Sequence, residues 1–493
     1  MDKPHVFIAF DTEDSVNPAA DDALLKLARV FDDASLPASF FMVGEKARVL
    51  RDRGRRDVIE SLRPHEIAYH GNHWFEFPEP ALVYGNRDPW ETGVGKAVEY
   101  ESPGVWDVAE ITGRFPVAFC QHDSNHSPAT THALRQSGVR VWNGGFGGPL
   151  EGIGWIMDML VVGRNSRALS LQGSWSGVDI DPDEPDRAPE AMVPGDELRT
   201  FQQRFDAQLE RGDSHIVLLG HPTCWAMTQW FGWYDWPFEL RHPDAAGTPT
   251  PFPRGRRWEP TPPRSTADMA AHLEWTAKAA KWLAGRNDIR MATFSDVWDH
   301  HAEEPGLWLD EQQVKSVARQ LCGSFDYVTE AGTTLSVADA LFVLAQYADS
   351  TLRERRRPAH TQIRRTLGPV DEVLMPRGTV TLPRASLLAT ARQVVHHIDA
   401  RGYVPNAIRA HRVDCGPGEL LLALAQSIAA DRWPDHVTVE PTAGVPKCAT
   451  MGCFANPGAG SALAQPPDYD PTRIKMQARQ QSWSYRPAVE APA

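Results

Sequence analysis

The stretch HEIAYHGNHW, His65 to Trp74, carries three imidazoles within nine residues, and only Gly71 and Asn72 separate His70 from His73. Ahead of it, Asp11 and Glu13 stand two residues apart in FDTED, at the end of the apolar run HVFIAF. Far downstream, His221 follows the apolar IVLLG. One carboxylate and two imidazoles can hold a divalent ion and still leave positions open for water and a substrate oxygen. A second carboxylate and a further imidazole beside them can take up and return protons. Such a set suits metal-assisted hydrolysis. The ion lowers the pKa of a water and polarises a carbonyl at once.

These residues need elements that bring them together. HVFIAF reads as a buried strand that delivers acidic side chains to a sheet edge. DDALLKLARVFDDA follows with apolar residues at helical spacing behind an acidic first turn, and PASFFMVG is a second strand. Strand, helix, strand with short loops implies a parallel sheet, whose ligands collect beyond the carboxyl ends of the strands. The alternation continues through FPVAFC, ATTHALRQSG, VRVWN, SHIVLLGH, MAAHLEWTAKAAKWLAG and IRMATFSDVWDH. A barrel-like or doubly wound α/β fold is expected.

In order and spacing, FIAFDTED, LPASFFMVGEKARVL, HEIAYHGNHW, IVLLGHP and MATFSDVWDHH resemble the landmarks of the polysaccharide deacetylase family, over roughly residues 4–302. The resemblance implies an α/β fold, a distorted (β/α) barrel. It also implies a divalent metal, zinc as the expected cofactor, held by a carboxylate and two histidines. With that metal, a water attacks an acetamide carbonyl, a neighbouring Asp acts as base and a late His protonates the leaving amine. On this pattern Asp11 is the base, His221 the acid, and Glu13, His70 and His73 the metal ligands.

The chain departs from the family pattern in three places. Thr12 stands where many members have a second Asp, but Asp11 and Glu13 point to one side of an extended chain, which favours Glu13 as the carboxylate ligand, with Asp14 the alternative if the chain turns. The second histidine usually lies four residues on, at the position of Trp74. His73 lies three on, and a helical turn places either spacing on one face. The family's Arg-Pro-Pro-Tyr motif is replaced by Cys120, Gln121, His122 and Asp123. There His122 or Gln121 can donate a hydrogen bond to a developing oxyanion, and Asp123 can meet metal or substrate. Trp74, His122, Asp123 and Trp225 are the expected substrate contacts. Trp225 opens an aromatic run, with Trp230, Trp233, Tyr234 and Trp236, suited to a sugar-binding wall or to a subunit contact.

Length and charge set the outer limits. A chain of 493 residues exceeds the ~250–300 that one core usually serves. Three regions are expected: a catalytic domain over 1–304, a smaller, mostly α-helical C-terminal domain over 305–455, and an extended tail over 456–493, rich in Pro, Gly, Ala and Gln. In the helical region ADALFVLAQ and GELLLALAQ echo one another 80 residues apart, suggesting a duplicated unit. That domain suits glycan binding, partner binding or assembly into a homo-oligomer. A net charge of −14 argues against nucleic acid. No window approaches the ~20 apolar residues of a membrane span, and no secretory signal is apparent. Six scattered cysteines fit a reducing, cytoplasmic setting. The expected substrate is an N-acetylated carbohydrate or a small amide, with a non-catalytic binding protein on the same fold as the other class.

Overall fold

The computed structural model describes residues 3–73, 76–122, 126–147, 150, 152–163, 169–171, 197–227, 250–251, 263–301, 307–354, 358–410, 413–430, 433–458, 460, 465 and 469–488. One eleven-stranded sheet organises the N-terminal region. Its strands are β1 (His5–Thr12), β2 (Ser39–Met42), β3 (Glu66–Tyr69), β4 (Ala118–Phe119), β5 (Val141–Asn143), β6 (Ile153–Ile156), β7 (Met159–Val162), β8 (Leu169–Ser170), β9 (His215–Gly220), β10 (Arg290–Met291) and β11 (Arg486–Pro487). The order is β11-β6-β7-β5-β4-β3-β2-β1-β9-β8, with β10 beside the first residues of β1. All pairings are parallel except β6 with β7 and β11 with β6. The expected distorted (β/α) barrel is the fold that forms.

Because strand side chains alternate, each strand feeds two apolar clusters. Ile8 and Phe10 of β1, Phe40 and Met42 of β2, and Tyr69 of β3 face outward onto helices Pro18–Asp33 and Trp90–Thr112. Phe7, Ala9, Phe41, Ala68, Ala118, Cys120 and Val141 face inward and fill the barrel. Its amino end is plugged by helix Phe294–His301, whose Phe294 stacks on Phe7 at 4.7 Å. Glu66 fixes that plug by accepting the backbone N–H groups of Phe294 and Ser295 and the hydroxyls of Ser295 and Ser39. Among the described residues the inner face is thus covered at its amino end, and the polar residues that follow the inward-facing core positions lie at the carboxyl ends of the strands.

The C-terminal region has its own core. The 80-residue echo corresponds to a repeated strand, helix, hairpin, helix, strand unit. The first copy runs from Trp308–Asp310 through helices Glu311–Gly323 and Val337–Glu354 to His360–Gln362. The second runs from Val380–Pro383 through helices Arg384–Arg401 and Pro417–Ala429 to His436–Val439. Asp339 and Glu419 occupy equivalent first-turn positions and do equivalent work. Asp339 accepts the N–H groups of Ser336 and Thr366, and Glu419 those of Gly416 and Thr442.

The final segment is not the extended tail its composition suggests. Thr472–Gln480 is a helix, Gln481–Ser484 a 3₁₀ turn, and β11 adds to the edge of the main sheet. Its apolar side chains serve both cores: Trp483 belongs to the C-terminal one, Ala478 and Tyr485 to the outer barrel cluster. Among the described residues no helix is long and apolar enough to cross a membrane.

Candidate metal centre and proton-transfer site

The inward-facing positions continue past the last core residues of each strand. After Phe7 and Ala9 the same face of β1 reaches Asp11, and Glu13 lies just beyond it. After Ala68 that of β3 reaches His70, after Cys120 that of β4 reaches His122, and after Leu219 that of β9 reaches His221. Parallel register brings these ends together: Phe10 aligns with Phe40, Met42 with Tyr69, and Tyr69 with Phe119.

Glu13, His70 and His122 each offer one ligand atom, and these atoms all lie within 4.8 Å of one another. His122 Nδ1 is 2.9 Å and His70 Nε2 3.5 Å from Glu13 Oε2. His70 is oriented by its other nitrogen, whose Nδ1–H donates to the Cys120 carbonyl at 2.8 Å. That bond leaves Nε2 as the ligand atom, the arrangement found where imidazoles bind metals. Asp11 Oδ2 stands beside this set, 3.8 Å from His70 Nε2 and 3.6 Å from His221 Nε2. Asp11, Glu13, His70 and His221 are all buried.

The electrostatics follow from packing two carboxylates and three imidazoles into one small space. Burial pushes the Glu13 carboxyl up, but hydrogen bonds from His122 and His70 outweigh it and hold Glu13 well below the usual carboxylate range. Burial alone would lower His70, yet the charge of Asp11 and the bonds to Cys120 and Glu13 raise it well above an ordinary histidine. His122 is lowered by burial and then by the positive charge of His70. A buried carboxylate flanked by two imidazoles is a donor set that can hold a divalent ion.

Other expected residues lie elsewhere. His73 points away from this cluster, with Nδ1 3.8 Å from Glu45 and its ring 6.0 Å from Tyr100. Gly71 has φ +98°, so the chain leaves β3 in a turn rather than a helix, and the three-residue spacing does not put His73 on the face of His70. The first amides of helix Gly44–Asp52 clamp that turn by donating to the carbonyls of Gly71 and Asn72. Asp14 is committed to the N–H groups of Val16 and Asn17, the Asn17 amide and the Thr223 hydroxyl, so it braces β1 against the segment after His221. Trp225 is core: it packs edge-on against Phe10, and its indole donates to Thr276. The chain turns into a short helix at Pro222–Ala226, which carries Trp225 to the outer side of the sheet. Gln121 is spent at both ends, accepting from Trp142 Nε1 and donating to the Gly145 carbonyl. Trp74, Asp123, Trp230, Trp233, Tyr234 and Trp236 lie outside the described residues.

His122, expected as a substrate contact, stands closer to Glu13 than any other imidazole of the cluster. The signal was present in the alternation: in AFCQH, Ala118, Cys120 and His122 share a face, and register sets Cys120 beside His70.

No protein-family profile matches this chain, and no curated protein does. Solved structures do resemble it. A protein assigned as a polysaccharide deacetylase from Mycobacterium smegmatis is 17% identical, with 60% of this chain and 90% of that one covered, at a TM-score of 0.35. PuuE allantoinase is 11% identical over 61% and 91%, at 0.38. A family 4 carbohydrate esterase from Streptomyces lividans, in complex with acetate, is 12% identical over 57% and 90%, at 0.28. These matches cover about three-fifths of this chain at identities of 11–17%, and its chemistry rests on its own residues.

Proposed function

We propose that this chain is a metal-dependent hydrolase of carbon–nitrogen amide bonds, acting on an N-acetylated sugar or glycan. One observation carries the reading: Glu13, His70 and His122 converge within ligand distance while Asp11 stands between that set and His221. The donor types suit a divalent ion of the zinc class, with one carboxylate and two imidazoles. When bound, such an ion makes a water acidic and polarises a carbonyl.

The chain's own groups supply the rest. Glu13 and His70 come from the ends of β1 and β3, on either side of β2, and set the ligand geometry, with His70 held in one tautomer by Cys120. Asp11 takes the proton from the attacking water as the new carbon–oxygen bond forms. His221, 3.6 Å from Asp11, gives a proton to the departing nitrogen as the carbon–nitrogen bond breaks. Asp14, bonded to Thr223 two residues beyond His221, keeps these two groups in register. The six cysteines, all unpaired, support a reducing, cytoplasmic setting.

A small cyclic or linear amide is the second reading, favoured by the locked Gln121 where the family's arginine motif is expected. Metal analysis of the purified protein, with acetate release from N-acetylated oligosaccharides before and after Asp11→Asn, tests both. Bound metal with acetate release that Asp11→Asn abolishes is the expected result. Metal without acetate release favours the small amide, and neither metal nor activity favours a binding protein on this fold.

A further inference from the structure

β5 ends on Asn143, which is completely buried, and among the described residues neither its side-chain oxygen nor its nitrogen has a hydrogen-bond partner. Alternation fixes where that amide faces. Val141 belongs to the inner barrel cluster and Trp142 to the outer one, so Asn143 returns to the inner face. Register fixes its neighbours: Phe119 aligns with Trp142, which sets Cys120 beside Asn143, and Val162 stands on the other side. Cys120 Sγ itself lies within 4.8 Å of ligand atoms of Asp11 and His70. Asn143 therefore stands one strand from the candidate site, on its face and at the carboxyl end of its strand.

An unpaired buried amide costs stability, and an apolar residue of similar volume at the same position would remove that cost. A polar group kept in such a place is one that a ligand completes. We propose that Asn143 is a substrate-contacting residue of this site, donating from Nδ2 to the acyl oxygen of the amide under attack. The donor is needed because the two candidates at the arginine-motif position are engaged: Gln121 with Trp142 and Gly145, and His122 with Glu13. As water adds to the carbonyl, negative charge grows on that oxygen, and a fixed donor aimed there stabilises the transition state more than the bound substrate.

This inference rests on the hydrolase reading, and its test separates the two. Asn143→Leu is compared with wild type by urea denaturation without added metal and by acetate release from N-acetylated chitotetraose with metal. The expected result is a denaturation midpoint at or above that of wild type, together with a fall of about 100- to 1000-fold in kcat/KM. A lower midpoint shows that the amide serves the fold, through a bound water, and overturns the proposal. So does an unshifted midpoint with undiminished acetate release. Should wild type release no acetate at all, the reading of an N-acetylated carbohydrate as substrate alone fails. The midpoint then decides: a rise still marks Asn143 as a group held for a ligand, and a fall or no change overturns it.

Discussion

Glu13, His70 and His122 sit at the ends of three strands, and each reaches the cluster because it is an even number of residues beyond an inward-facing core position. His73 breaks that parity, since Gly71 turns the chain and the clamp on helix Gly44–Asp52 carries His73 toward Glu45. His122→Ala is accordingly expected to weaken metal binding more than about 100-fold, beyond what losing an outer hydrogen bond costs, and His73→Ala to leave it unchanged. Chelator competition measures both, and the reverse ranking would return His73 to the ligand set. A second residue-scale expectation concerns acid stability. Burial lowers His126 from 6.5 to about 3, so the native state binds fewer protons than the unfolded chain between those values. The stability it contributes is complete above pH 6.5 and is lost as pH falls toward 3. At pH 5 the loss is about 2 kcal/mol from this residue. His126→Gln, which keeps a partner for Thr131 but does not titrate, should flatten the fall in denaturation free energy between pH 7 and pH 5 by that amount. An unchanged slope would mean that His126 titrates normally.

At the scale of elements, the turn after β3 is held by helices that approach unusually closely. A Cβ at Gly44 would stand 2.8 Å from Gly104 Cα, and one at Gly104 would stand 2.5 Å from the Tyr69 hydroxyl and 2.8 Å from Asn72. Alanine is the better helix former by ~1 kcal/mol, yet Gly104→Ala has to push these helices apart and displace Asn72. A net loss of about 1–3 kcal/mol is expected, read as a lower urea midpoint. A gain in stability would show that the helices have room. Lys46 braces the same region: fully buried, it donates to Asp21 and to the Asp14 carbonyl, linking the first helix to the loop that carries Glu13. The repeated unit near the C-terminus shows the same economy, with Asp339 and Glu419 tying equivalent helix starts to equivalent loops.

At the scale of the molecule, the last residues are a seam. Gln477 and Gln481 donate to the carbonyls of Val370 and Pro369, Trp483 donates to that of Gly444, and Ser484 accepts from Met157. Arg486 lies 4.6 Å from the ring of Trp155. Trp483→Ala empties a fully buried position, and a loss of about 3–5 kcal/mol is expected. If the two cores depend on this seam, calorimetry of the variant shows the barrel and the C-terminal unit melting apart. A single transition near that of wild type would mean that Trp483 contributes little.

Much of the fold could be read from the residues. Strands such as HVFIAF and SFFM announce themselves as continuous apolar runs because both their faces are buried. Asp11, Glu13, His70 and His221 stood out as polar residues ending such runs, and the 80-residue echo marked a repeated unit. Three things were settled only by tertiary structure. Which second histidine joins Glu13 and His70 depends on strand register and on the sign of one backbone angle at Gly71, and neither is a property of residue type. Whether Trp225 lines a site or fills the core depends on which way a five-residue helix turns after His221. The terminal segment read as an extended tail because it is rich in Pro, Gly, Ala and Gln and its large apolar residues are few. They acquire a place only when two separate cores, built largely from earlier segments of the chain, present the surfaces that Trp483 and Tyr485 fill.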